Sequence, residues 1–356
     1  MKKLEIGLDT FGDRTRTTDG KQLSHAAVIR QLVEQAELAD RVGLAFIGVG
    51  EHHREDFAVS APEVVLAAIA GRTQRIRLGS AVTVLSSDDP IRVFQRFSTL
   101  DAVSNGRAEV ILGRGSFTES FPLFGFDLAR YEELFEDKLS LFAKVRAGTP
   151  VTWSGSTRSP LTNQNVYPPL ENGLLRTWIG VGGSPESVVR AARYGFDLML
   201  AIIGGNPARF ASYVELYEDA LKKYGFGSRP VGVHAPGHVA ESDEQARTEL
   251  WPHFLEMRTK IGGERGWAPP SRAQFDNEAG PNGALFVGSP ETVAHKIAAT
   301  ARTLKLSRFD LKYSNGPMPH EQMLRSIELI GTKVAPRVHE LLGAGQVEAP
   351  ATETAS

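Results

Sequence analysis

The sequence predicts a (β/α)8 barrel, and three observations predict it. Eight short apolar runs are near-continuous in hydrophobicity rather than alternating, as parallel strands buried on both faces are. Longer helical patterns separate them. Prolines recur where those helices would begin, at Pro62, Pro90, Pro185, Pro207 and Pro290, the position at which a missing N–H costs nothing. Strand followed by helix, eight times over, closes a sheet on itself, with an open doubly wound sheet as the architectural alternative.

In chain order the runs are LEIGLDT from Leu4, AFIGVGE from Ala45, IRLGSAVTVL from Ile76 and RAEVILGRG from Arg107. They continue with TWIGVGG from Thr177, DLMLAIIGG from Asp197, PVGVHAPGHVA from Pro230 and RFDLKYS from Arg308. The first helix is expected from Ser24, as N-cap, to Val42, with Gly43 closing it. Two excursions interrupt the rhythm. Residues 147–176 are rich in Gly, Thr, Ser, Asn and Pro and are expected to form a small hairpin from VTWSG and NVYPP. Residues 261–284 lack periodicity and are expected to act as a lid, with a variable surface loop as the plainer reading. No linker divides the chain, so residues 1–342 read as one barrel, and the small, polar stretch 343–356 reads as a disordered tail.

Composition narrows the chemistry. With 41 % apolar and 23 % charged residues in 356, the chain can bury a large core, and a net charge of −2 implies no nucleic-acid or anionic-membrane partner. The absence of cysteine excludes disulfides, thiolate nucleophiles and cysteine-based metal sites. No signal-peptide pattern follows Met1 and no run reaches the ~18 apolar residues of a membrane span. A cytoplasmic location is expected.

In such a barrel the active site lies at the C-terminal ends of the strands. Glu51-His52-His53 follows the second run, where a histidine can move protons near neutral pH and a carboxylate can fix its tautomer. The alternative is a polar surface turn. A metal site there is disfavoured because successive strand residues point to opposite faces. Gly182-Gly183-Ser184-Pro185 leads into a helix whose free N–H groups suit an anion, and Arg114, between Gly113 and Gly115, suits bidentate phosphate contact. Gly288-Ser289-Pro290 repeats the same pattern, so the motif alone does not choose between them. Adjacency of the fourth and fifth strands favours Gly182, although barrel phosphate sites more often use strands seven and eight. Of His234 and His238, one is expected to line the pocket.

These residues resemble the luciferase-like flavin monooxygenases. The resemblance runs over roughly residues 4–340 and rests on GEHHREDF from Gly50, the stretch Arg77 to Gly115, IGVGGSPESVVRAARYG from Ile179, FVGSPETVAHKI from Phe286 and the closing GPMPHEQMLRSIELIGTKVAPRV. It implies reduced FMN bound at the strand ends and supplied by a separate reductase, with oxygen and a small organic molecule as substrates, in a homodimer. Glu51 and His52 would lie near the reactive ring edge, with His52 as proton-transfer residue. Ser80 and Ala81 would hold a cis peptide behind the ring, and Arg114, Gly182, Gly183, Ser184 and Ser187 would hold the phosphate. Gly113 stands where luciferase carries a reactive cysteine, and Gly183 where it carries an acid, which puts light emission in doubt. A deazaflavin-dependent dehydrogenase and a non-catalytic flavin-binding subunit are the rival readings.

Overall fold

A computed structural model of the chain describes residues 3–344 apart from residue 172. Eight parallel strands close into a barrel: β1 Glu5–Thr10, β2 Phe46–Val49, β3 Arg77–Ser80, β4 Ala108–Gly113, β5 Arg176–Val181, β6 Asp197–Ala201, β7 Val231–Val239 and β8 Arg308–Lys312. Each pairs with its neighbour in sequence, and β8 returns to β1 through Leu8↔Leu311. The eight apolar runs are these eight strands, which removes the open-sheet alternative.

The helical layer follows the sequence closely. Helix His25–Arg41 is capped by Ser24, whose side chain accepts from the Ala27 N–H, and Gly43 adopts φ 82° just beyond it. The five prolines all sit in the first turns of helical segments. Between helices and strands packs one large apolar layer, from Leu32 and Ala36 on one side to Val334 and Val338 on the other. Among the described residues no helix is long and apolar enough to cross a membrane.

The third run does not continue as one strand. It breaks after Ser80 at a cis peptide between Ala81 and Val82, and Thr83–Val84 then pairs with β4. The expected cis bond at Ser80–Ala81 is therefore one residue out. The hairpin pairs Val151–Trp153 with Leu161–Gln164 rather than with NVYPP. Pro168 and Pro169 have no N–H to give a ladder, so the upstream segment takes that place. Strand β7 continues through Pro236 and Gly237. Its last three residues pair with a short strand, Phe286–Gly288.

The expected lid, 261–284, divides in two. Residues 261–264 end the helix Asp243–Glu264. The helix Arg272–Glu278 buries Phe275 against Trp251 and Phe254, and Ala279, Ala284 and Leu285 are buried too. Lys296 Nζ donates to the carbonyls of Gly280 and Leu285 at 2.6 Å each, stapling that half to the helix Pro290–Leu304. Only the first part remains available to cover the mouth. Of the expected tail 343–356, Gly343 and Ala344 close the helix Ala335–Ala344, and the rest lies outside the described residues.

Candidate active site

The barrel interior is filled from the bottom by charge. Arg308 is fully buried, meets Glu109 at 2.5 Å and Asp310 at 2.9 Å, and stacks between Phe46 and Trp178, 3.8 and 4.3 Å from the ring centres. Burial pushes the Glu109 carboxyl up, but Arg308, Arg77 and Arg176 outweigh it and hold it below the usual range. Phe46, Trp178, Ile111, Met199 and Ala81 form a small apolar layer above this cluster.

Above that layer opens a cavity of about 350 Å³ at the C-terminal strand ends. Its floor is the Ala81–Val82 turn, and glycines make the room for it. A side chain on Gly48 would put its Cβ 2.8 Å from Ala81 Cβ, and one on Gly113 would meet Val82 at 2.5 Å. A cysteine at position 113 would thus collide with the floor, which accounts for the glycine there. Ser80 lies beneath the cavity, fully buried, donating to the Ile111 carbonyl and accepting from Thr83. It supports the turn and does not line the cavity.

Glu51, His52 and His53 all reach the wall. Glu51 is committed: it accepts the Val84 N–H at 2.9 Å and pairs with His53 at 3.1 Å. The His52 ring packs among Phe11, Phe57 and Phe117, 4.8, 4.3 and 5.4 Å between centres. Burial first, then the charges of Lys312, His53 and Arg54, hold the His52 imidazole down to about 3. This environment favours the neutral imidazole. Motif spacing gives no hint of such an environment, because Phe11, Phe117 and Lys312 come from distant parts of the chain.

Arg114 and Gly182, at the ends of β4 and β5, also line the cavity. Gly182 and Gly183 have open space where a side chain would project, and Gly183 adopts φ 132°. Ser184 caps the helix Pro185–Arg193 by accepting the Ser187 N–H. Gly183, Ser184 and Ser187 border the cavity rather than line it; the Ser187 side chain is buried beside Arg190 at 3.4 Å. The glycine-serine-proline repeat at Gly288 is already occupied: the Asp243 carboxylate accepts the Ser289 N–H at 2.6 Å and the Thr292 hydroxyl at 2.9 Å. An internal anion thus fills the second motif, whereas at the first the Ser184 hydroxyl donates to the exposed Glu186 carboxylate at 2.7 Å. Sequence reasoning missed Glu132 and Arg190. Glu132 pairs with Arg114 through one oxygen and with Arg190 at 3.1 Å through the other.

A further wall comes from β7 and β1. His234 Nδ1 lies 2.5 Å from Asp9 Oδ2, and Phe11 stacks on the same imidazole at 5.7 Å, 9° from parallel. His234 is the lining histidine of its pair, while His238 is buried against Glu249 at 2.7 Å. Over the mouth, Arg54 gathers Glu119, Asp56 and Glu264, and Arg265 donates to the Ser116 carbonyl at 3.1 Å.

A sequential parallel barrel with a glycine-built floor, an arginine at a capped helix start and histidines on the wall defines a barrel enzyme that works on a ligand held at its strand ends. The pattern of the luciferase-like monooxygenase family matches residues 10–306, and the chain belongs to that family. Its homologues are monooxygenases, and the chain is a flavin-dependent oxidoreductase of the luciferase-like type. Limonene 1,2-monooxygenase of Rhodococcus erythropolis is 28 % identical over 330 residues, covering 88 % of this chain and 83 % of that protein. In fold, the chain is similar to the oxygenating constituent of 3,6-diketocamphane monooxygenase from Pseudomonas putida, solved with FMN. That match has a TM-score of 0.76 at 17 % identity and covers 94 % and 99 % of the two chains. It is similar also to an F420-dependent secondary alcohol dehydrogenase, with a TM-score of 0.71 at 17 % identity and the same coverage.

Proposed function

We propose that this chain is an FMN-dependent monooxygenase that takes reduced FMN from a separate reductase and, with oxygen, oxidises a small apolar organic substrate. A cytoplasmic homodimer completes the reading. The observation that carries it is the division of the cavity into an apolar floor at Ala81–Val82 and a cationic end at Arg114. A flat ring with a phosphate tail has those two requirements. The residues present fit the group: Arg114 supplies charge, Gly182 and Gly183 let the backbone approach, and the exposed Glu186 carboxylate, which accepts from the Ser184 hydroxyl at the start of the helix Pro185–Arg193, would turn aside for the phosphate.

Bound reduced flavin with oxygen would supply the oxygen-transferring chemistry. The chain's own residues bind, orient and exclude water. Arg114, with Ser184 and Ser187 nearby, holds the phosphate; Ser80 and Ala81 hold the floor. Glu51, fixed by Val84 and His53, and His52, whose burial favours the neutral imidazole, present polar edges to the ring. Glu132 is the competitor: its exposed side chain occupies Arg114 and must swing away before a phosphate takes that place.

Binding of oxidised FMN and riboflavin, followed by fluorescence quenching, tests this. Arg114→Ala is expected to weaken FMN by about tenfold to a hundredfold, the value of one charge-assisted hydrogen bond of roughly 1.5–3 kcal/mol, and to leave riboflavin unchanged. Glu132→Gln is expected to tighten FMN, and Ser289→Ala to have no effect. Equal loss of both ligands in Arg114→Ala would place the phosphate elsewhere. Preference for a deazaflavin over FMN would favour the dehydrogenase reading.

A further inference from the structure

The His234–Asp9 pair is the least used chemistry in the cavity. Asp9 Oδ2 and His234 Nδ1 meet at 2.5 Å, so the carboxylate accepts the Nδ1–H and fixes the tautomer that leaves Nε2 bare. Phe11, parallel to the imidazole, holds the ring plane. No residue among those described hydrogen-bonds Nε2, and it is not sealed from the cavity. The other polar wall groups differ in this respect. Glu51 has both oxygens engaged, Arg114 is paired, and the His52 ring is packed among Phe11, Phe57 and Phe117, where burial disfavours its charged form.

The groups facing the pair are few. Asp310 lies beside His234 in the β7–β8 register, and Lys312 lies beside Asp9 in the β8–β1 register with its ammonium 4.6 Å from the Phe11 ring centre. Ala201 lies beside His234 in the β6–β7 register, Phe11 stacks on its ring, and the apolar Met199 and Ile203 of the β6 side also line the cavity. In the barrel order the pair stands on β7 and β1, across the mouth from Arg114 and Gly182 on β4 and β5, and so away from the phosphate end.

We infer that His234, oriented by Asp9, is the catalytic base on the substrate side of this cavity, and that the substrate class is a compact apolar molecule carrying one acidic hydroxyl, a phenol or an enol. The inference rests on the proposed monooxygenase reading and adds the substrate class to it. In the step, the substrate O–H bond breaks, the proton goes to Nε2, and the electron pair stays on the substrate oxygen. The imidazolium so formed is held by the Asp9 carboxylate, which is a positioning residue. The resulting oxyanion makes the adjoining carbon electron-rich, the condition an oxygen-transfer reagent needs. No further reactant enters this step.

The probe is 4-nitrophenol, whose anion absorbs where the neutral form does not. It is titrated into the protein loaded with oxidised FMN and into the protein alone. In both, the phenolate-to-phenol ratio of the bound probe is expected to exceed that of free probe by roughly 10- to 1,000-fold, the effect of a cation forming within a few ångströms. His234→Phe, which keeps a ring, is expected to abolish the excess with FMN affinity unchanged, and Asp9→Asn to reduce it. In the wild type, nitrogen-15 NMR should show the His234 Nε2 signal move from bare to protonated on adding probe, a readout that needs no variant to fold. Probe that fails to bind, that binds as the neutral phenol, or that ionises equally in His234→Phe overturns the inference. Failure of FMN to bind while the probe still ionises would sink the flavin reading and leave the base in place.

Discussion

His52 shows how a residue's chemistry is set by what surrounds it. Its folded pKa, about 3, is far below the ~6.5 of an exposed imidazole. Between those values the unfolded chain binds a proton that the folded chain refuses. The resulting stability is fully present above about pH 6.5 and is lost as the pH falls toward 3. His52→Phe removes that linkage. On moving from about pH 7 to about pH 5, wild type is expected to lose up to about 2 kcal/mol more than the variant, read from urea midpoints. Parallel losses would mean that the imidazole is charged in the fold. The motif Glu51-His52-His53 was legible in the sequence as a polar group at a strand end. Its pKa was not, because Lys312 and the three phenylalanines reach it only through folding. The same holds for His234, whose partner Asp9 lies 225 positions away.

At the level of elements, the stretch 261–284 reads in sequence as one aperiodic segment, yet it contains two physical regimes. Residues 265–269 are exposed, and Arg265 reaches over the mouth to the Ser116 carbonyl and the Phe117 ring. Residues 275–285 are anchored by Phe275 and by Lys296. Burial lowers the Lys296 ammonium to about 8, so it still carries its proton near neutrality and holds its carbonyls. Subtilisin, which cleaves with little sequence preference, is therefore expected to nick within 265–269 and to spare 275–285, and FMN binding to slow the first cut. In Lys296→Met the freed carbonyls of Gly280 and Leu285 cost about 1–3 kcal/mol each, and cleavage should spread into that stretch. Cutting in 275–285 of the wild type would contradict the staple. Sequence missed the split because one buried phenylalanine among polar neighbours gives no periodicity.

At the scale of the whole molecule, the barrel carries its site on a charged column. Arg308 joins β8 to β4 through Glu109, while Arg77 and Arg176 guard the lower rim. Arg308→Met leaves Glu109 and Asp310 buried without their main partner and is expected to cost about 3–5 kcal/mol in urea unfolding, with Glu109→Gln in the same chain recovering part of it. A cost near zero would mean that Arg77 and Arg176 suffice. The sequence by itself determined the barrel, its strand order, the helix starts and the mouth residues Glu51, His52, Arg114 and Gly182. Strand and helix periodicity, proline placement and glycine runs are local signals, written within a few residues of where they act. Only the tertiary structure decided what lies at each glycine-serine-proline motif, which histidine has a bare nitrogen and where the floor turns. Asp243, far away in sequence, caps one motif, the local Glu186 meets Ser184 at the other, and Asp9 orients His234. The Ala81–Val82 turn rises into space left by Gly48 and Gly113. Apart from that of Glu186, these are contacts between strands far apart in sequence, and closure of the barrel is what brings them within bonding distance.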